Sequence, residues 1–153
     1  MTTTNNRLSS EQEAWLLALE SGDYNQWDRG NLIYRAKRND DFEGYAFCCL
    51  GLAVHVNDPG AEILRDDGWS WNDSDDYQDL DRGDYGEDGA TLSPEWVDRL
   101  ALSDSAGTFR LRSKRHGFES LVSMNDSGEF SFEDIASLIR AEPWLVFMNF
   151  SIP

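Results

Sequence analysis

Phe47-Cys-Cys-Leu-Gly-Leu-Ala-Val54 is apolar on every side, and how it is read decides the rest of the chain. Eight such residues suit a buried strand or a buried helix, and periodicity alone does not separate the two. Gly51 and Ala53 are small enough to let a neighbouring element approach closely, and Asn57-Asp58-Pro59-Gly60 breaks the segment. We read it as a buried helix. Cys48 and Cys49, the only cysteines, then lie where free cysteine usually sits, as small core side chains. A disulfide between adjacent residues departs far from ordinary Cα separation, so reduced thiols in a cytoplasm are expected.

Upstream of this segment, Ser10 and Glu13 form a capping box, and Trp15, Ala18 and Leu19 recur at helical spacing until Gly22. This pattern predicts a helix over 11–21. Gly30, the run Leu32-Ile33-Tyr34-Arg35 and the polar turn Arg38-Asn39-Asp40-Asp41 suggest one or two short strands before Tyr45. Downstream, a strand is expected at Trp69 to Trp71. Ser93-Pro94-Glu95 starts a helix running through Leu102, with Ser as cap, Pro at the first position and an acid near the positive end of the dipole. Phe109 to Lys114 reads as a strand, and Leu121 to Met124 as a short element of undecided type. Ser131 with Asp134 opens a last helix, with Phe132, Ile135, Ala136 and Ile139 on its core face and Pro143 at its end. The apolar stretch from Trp144 to Ile152 predicts a terminal strand, paired within the sheet or with a second copy, which leaves a homodimer open.

At 153 residues the chain suits one core. The expected fold class is α+β, a single compact domain over 9–153 with three to four short helices packed on a small antiparallel sheet and a long acidic loop at about 66–90. Residues 1–8 are expected to be a disordered tail. The polar start Met1 to Asn6 has neither a basic nor an apolar leader region, and no stretch approaches the roughly 18 apolar residues of a membrane span. An unexported, non-membrane protein is therefore expected.

Charge is distributed unevenly. Thirteen Lys and Arg face 29 Asp and Glu, for a net −16. Ten acids lie between Asp66 and Asp88 against the single cation Arg82, a local −9. They are Asp66, Asp67, Asp73, Asp75, Asp76, Asp79, Asp81, Asp84, Glu87 and Asp88, interleaved with Trp69, Trp71, Tyr77 and Tyr85. An acid run is usually a solvated loop, but aromatics supply contact area and carboxylates steer a basic partner from a distance. Direct binding of nucleic acid or anionic lipid is disfavoured, since phosphate contacts rely on Lys and Arg. One local cluster runs the other way. Arg110, Arg112, Lys114, Arg115 and His116 alternate as a strand would and offer a site for a small anion, against the plainer reading of an exposed face balancing the acids.

Enzyme and metal chemistry find little support in these residues, and neither a cofactor nor a catalytic residue is assigned. A dyad of Cys48 or Cys49 with His55 or His116 lacks any surrounding signature. Adjacent cysteines do not have zinc-ligand spacing. An EF-hand begun at Asp79 puts Gly83 one place too early and Ala90 where the bidentate glutamate belongs. No phosphate-binding glycine loop is present. Ser127 to Ile139 resembles the middle of a helix-turn-helix, but Glu142-Pro143-Trp144 stands where a reading helix should follow.

Four patches in order resemble a group of small proteins of tailed-phage and prophage genomes. They are Trp15-Leu-Leu-Ala-Leu-Glu-Ser-Gly-Asp-Tyr-Asn-Gln26, Phe47-Cys-Cys-Leu-Gly-Leu52, Leu92-Ser-Pro-Glu-Trp-Val97, and Met124-Asn-Asp-Ser-Gly128 with Phe132-Glu-Asp-Ile-Ala136. Departures from the group's pattern are Leu52 in place of Val, Ser93 before Pro94, an additional residue before Ser131, and the apolar tail. The resemblance implies a setting rather than a chemistry: an accessory protein acting in the host cytoplasm. Most of the shared positions read as scaffold. The polar pair Asn125-Asp126 either caps a helix or lines a site, of which capping is favoured. Combined with the charge pattern, the expectation is a host-takeover or anti-defence protein. It would bind and inhibit a basic, nucleic-acid-handling host protein through the acidic, aromatic-studded window, imitating nucleic-acid charge. The alternative is a protein that sequesters a small anionic ligand, such as a nucleotide signal, on Arg110, Arg112, Lys114 and Arg115.

Overall fold

A computed structural model describes residues 4–30, 32–35, 41–42, 44–58, 92–111 and 117–153. The elements, in order, are α1 (Ser10–Ser21), β1 (Asn25–Gln26), β2 (Ile33–Arg35), β3 (Tyr45–Phe47), α2 (Cys49–Asn57), α3 (Pro94–Arg99), α4 (Leu121–Asp126), α5 (Phe132–Ala141) and α6 (Pro143–Val146). The fold is α+β and forms one small domain. Among the described residues there are six short helices rather than three or four. The sheet is mixed rather than purely antiparallel, in the order β1-β3-β2. β2 pairs antiparallel with β3, whereas β1 runs parallel to the other edge of β3, with Asn25 opposite Ala46. The expected strand at 69–71 and the acidic loop lie outside the described residues.

α2 is the buried helix that its composition suggests, with every residue from Cys49 to Val54 buried. α1 packs beside it. The indole Nε1 of Trp15 donates to the Cys49 carbonyl at 2.7 Å, and its ring meets Phe147 edge-on at 6.0 Å. α1 starts one residue earlier than Ser10 and Glu13 suggest. Two capping boxes overlap here, and the one used joins Ser9 to Gln12: the Ser9 hydroxyl accepts from the Gln12 amide at 3.1 Å, and Gln12 Oε1 accepts from Ser9 N at 2.8 Å. The distant fold selects between them, because the buried Gln12 also donates from Nε2 to the Leu100 carbonyl and to Asn149 Oδ1, both at 2.9 Å.

α5 follows its pattern: Phe132, Ile135, Ala136 and Ile139 are buried, and Ser131 and Asp134 cap each other's backbone. Arg140 on α5 reaches across to α1, donating from Nη2 to Glu13 Oε2 at 2.7 Å and to Glu20 Oε1 at 2.9 Å. The hydrogen bond from Arg140 holds the Glu20 carboxyl below its ordinary 4.5. A depressed carboxylate contributes stability that is present above its ordinary value and is lost as the pH falls through the folded value. Both partners are about one-third exposed, so Arg140→Gln is expected to cost less than about 1 kcal/mol at pH 7. The gap to the parent should narrow as the pH falls below 4.5 and through the depressed folded value. Urea midpoints on either side of that value check this, and a gap that stays constant would show that charge is not its origin.

The C-terminal segment departs most from expectation. Instead of a strand from Trp144 to Ile152, Pro143 opens the short helix α6 and the chain then turns. Strand pairing is unnecessary because the backbone is satisfied in other ways. Arg110 Nη1 donates to the carbonyls of Trp144 (3.2 Å), Phe147 (2.8 Å) and Phe150, and Met148 N donates to the Ala101 carbonyl at 2.6 Å. Of the strand expected from Phe109 to Lys114, the described residues 109–111 form none and 112–114 lie outside the described residues, while an isolated antiparallel bridge joins Thr108 to Ser120. The N-terminal tail is tied down from Asn5 onward. Asn5 N and Asn6 N donate to the Asn149 carbonyl, Asn149 Nδ2 donates to the Arg7 carbonyl at 2.7 Å, and Leu8 packs on the core. No helix of the described residues is long and apolar enough to cross a membrane.

Candidate functional site

Gln26, Trp27, Cys49 and Asp126 converge on Asn125, at the C-terminal end of α4. α4 itself is fixed by Ser120 and Ser123, whose side chains each accept from the other's backbone N–H at 3.1 Å. The Asn125 side chain is fully buried. Its Oδ1 accepts from Gln26 Nε2 at 2.9 Å and from the Cys49 backbone N–H at 3.1 Å. Its Nδ2 donates to the Trp27 carbonyl at 2.8 Å and to Asp126 Oδ1 at 3.1 Å. The neighbours also determine which end is oxygen, since a backbone N–H needs an acceptor and a carbonyl needs a donor. Cys48 stands at the cap of α2 with no side-chain hydrogen bond to the helix's backbone N–H groups, and Asn125 supplies the missing acceptor from 76 residues away. Of capping a helix and lining a site, the geometry shows capping, carried out across the fold rather than within α4.

Gln26 extends this cluster by donating to the Phe130 carbonyl at 2.9 Å. Trp27 N donates to the Phe47 carbonyl at 2.7 Å, and its ring stacks on Tyr34 at 3.7 Å between centroids, nearly parallel, with the Arg29 guanidinium 5.2 Å away. Gly128 closes the turn after α4 at φ +74, where a Cβ would be strained and would meet Asp28 Oδ2 at 3.1 Å. An amide has two lone pairs and two protons, and in Asn125 all four are engaged. The cluster is thus a closed internal joint between α2, α4 and β1, with no hydrogen-bonding capacity at Asn125 left for a ligand.

The thiols belong to the core as well. Cys48 and Cys49 are buried, and burial, followed by the hydrogen bond and charge of Cys48, pushes the Cys49 thiol well above its ordinary value. A thiol held protonated is a poor nucleophile. His55 stacks on Phe47 at 4.7 Å and meets Tyr24 edge-on at 5.6 Å. Among the described residues, no group of three or more His, Cys, Asp or Glu is placed to hold a metal ion.

The expected partner-binding residues Asp66, Asp67, Trp69, Trp71, Asp73, Asp75, Asp76, Tyr77, Asp79, Asp81, Asp84 and Tyr85 all lie outside the described residues. So do Arg112, Lys114 and Arg115 of the anion-binding alternative. Arg110 is described, and Nη1 of its half-buried guanidinium donates to three backbone carbonyls. Charge-assisted bonds of this kind contribute about 1.5–3 kcal/mol. Arg110→Gln should therefore lower stability by about that amount and speed amide exchange at Met148 and Phe150. Unchanged exchange there would remove Arg110 from its anchoring role.

A second buried polar joint, Gln12 with Asn149, was not singled out from the sequence. Each carried a signal: Gln12 shares a helical face with Trp15, Leu16 and Leu19, and Asn149 interrupts an otherwise apolar tail. A polar residue on a core-facing stripe needs a buried partner, and these two are partners to each other.

No curated protein and no solved structure matches the chain. A family model does, over residues 8–143. By that match, the chain belongs to the DUF8296 family, described as a domain of unknown function.

Proposed function

We propose that this chain is a phage or prophage accessory protein that binds and inhibits a basic, nucleic-acid-handling host protein in the host cytoplasm through its acidic window. The observation that carries the reading is the −9 concentrated between Asp66 and Asp88, with Trp69, Trp71, Tyr77 and Tyr85 interleaved. Carboxylates would steer and match a groove built for phosphate, and the aromatics would anchor the contact. The described part of the molecule supports this division of labour. Its shared polar residues are spent on internal joints, and exposed cations such as Arg99 and Arg140 are paired with Glu11, Glu13 and Glu20. In the anionic-ligand alternative, Arg110 would contribute through donors other than Nη1, which is engaged by the C-terminal backbone.

Capture from host lysate by the tagged full chain, beside a variant with the ten window acids changed to Asn or Gln, tests the proposal. A single basic protein retained by the parent at low salt, released by about 0.5 M salt, and ignored by the variant is expected, because charge contacts at an exposed surface are screened within a few ångströms at that ionic strength. Retention that is indifferent to salt, or equal for parent and variant, would overturn charge mimicry.

A further inference from the structure

We draw no further inference here: the strongest candidate, the apolar cleft of about 370 Å³ beside α3 between Leu92, Pro94, Val97, Asp98, Leu102 and Ser105, carries nothing because nothing in the structure shows what covers it.

Discussion

Among the described glycines, Gly51→Ala is expected to be the most damaging single-methyl change, costing at least about 3 kcal/mol, the upper end of typical overpacking penalties. A Cβ at this position would stand 1.8 Å from the Leu32 carbonyl oxygen and 2.6 Å from its carbon. The obstacle is backbone, so no side chain can rotate out of the way. Retreat is also opposed, because the same carbonyl accepts from Cys48 N at 2.9 Å and thereby fixes the start of α2 against the chain entering β2. Helix propensity pulls in the opposite direction, since Ala is favoured over Gly by about 1 kcal/mol inside a helix. The clash outweighs it. Gly22→Ala provides the comparison: its φ of +75 makes a side chain strained, but the space around it is open. That variant should lose only about 1–2 kcal/mol. Urea midpoints for the two variants check the order, and a Gly51→Ala protein within about 1 kcal/mol of the parent would mean that α2 does not sit against Leu32 as described.

Asn125→Ala should rank next, at about 3–5 kcal/mol. It removes four hydrogen bonds and leaves the buried Cys49 N–H without its acceptor and the part-buried Trp27 carbonyl without its donor, while Gln26 keeps its bond to the Phe130 carbonyl; each unsatisfied buried group costs about 1–3 kcal/mol. Some of that will be recovered by water entering the space, so the full sum is not expected. Against a typical stability of about 5–15 kcal/mol, a loss of this size leaves a weak domain or none. Asn125→Asp separates hydrogen bonding from shape. It preserves volume and an acceptor for Cys49 N–H but removes the donor to the Trp27 carbonyl and adds a carboxyl beside Asp126 in a fully buried position. Burial and the neighbouring charge favour the protonated form of the new group, so this variant should be destabilised at pH 7 and recover part of the loss as the pH is lowered. Stability measured by denaturant at pH 7 and about pH 4 gives the sign. A variant as stable as the parent at pH 7 would show that the joint is wet and that Asn125 is exposed to solvent.

These two positions show what local pattern can and cannot express. Gly51 was visible as a small residue that would let a neighbour approach, but Leu32 as that neighbour was not. Asn125 was visible as a capping candidate, but the helix it caps begins at Cys49, far away in the chain. Ser9 and Ser10 illustrate the same limit more finely. Both open a valid capping box, and the choice falls to Ser9 because Gln12 is also held by Leu100 and Asn149. The tail beyond Pro143 shows its largest consequence. An apolar run predicts a strand when its backbone must find a sheet, yet the carbonyls of Trp144, Phe147 and Phe150 are satisfied by one arginine side chain.

Sequence by itself determined the class of the fold, the buried helix at Cys49–Asn57, the start and core face of the helix at Phe132–Ala141, and the concentration of acid between Asp66 and Asp88. Each is a local property, set by small apolar residues ended by a breaker, by apolar periodicity, by caps three residues apart or by charge counted along a short window. Tertiary structure alone decided the parallel pairing of β1 with β3, the internal use of Arg110 and Asn125, and the joining of the N-terminal segment to Asn149. All of these depend on where a buried donor finds an acceptor dozens of residues away, and that is settled only when the chain closes on itself and water is no longer there to take the hydrogen bond.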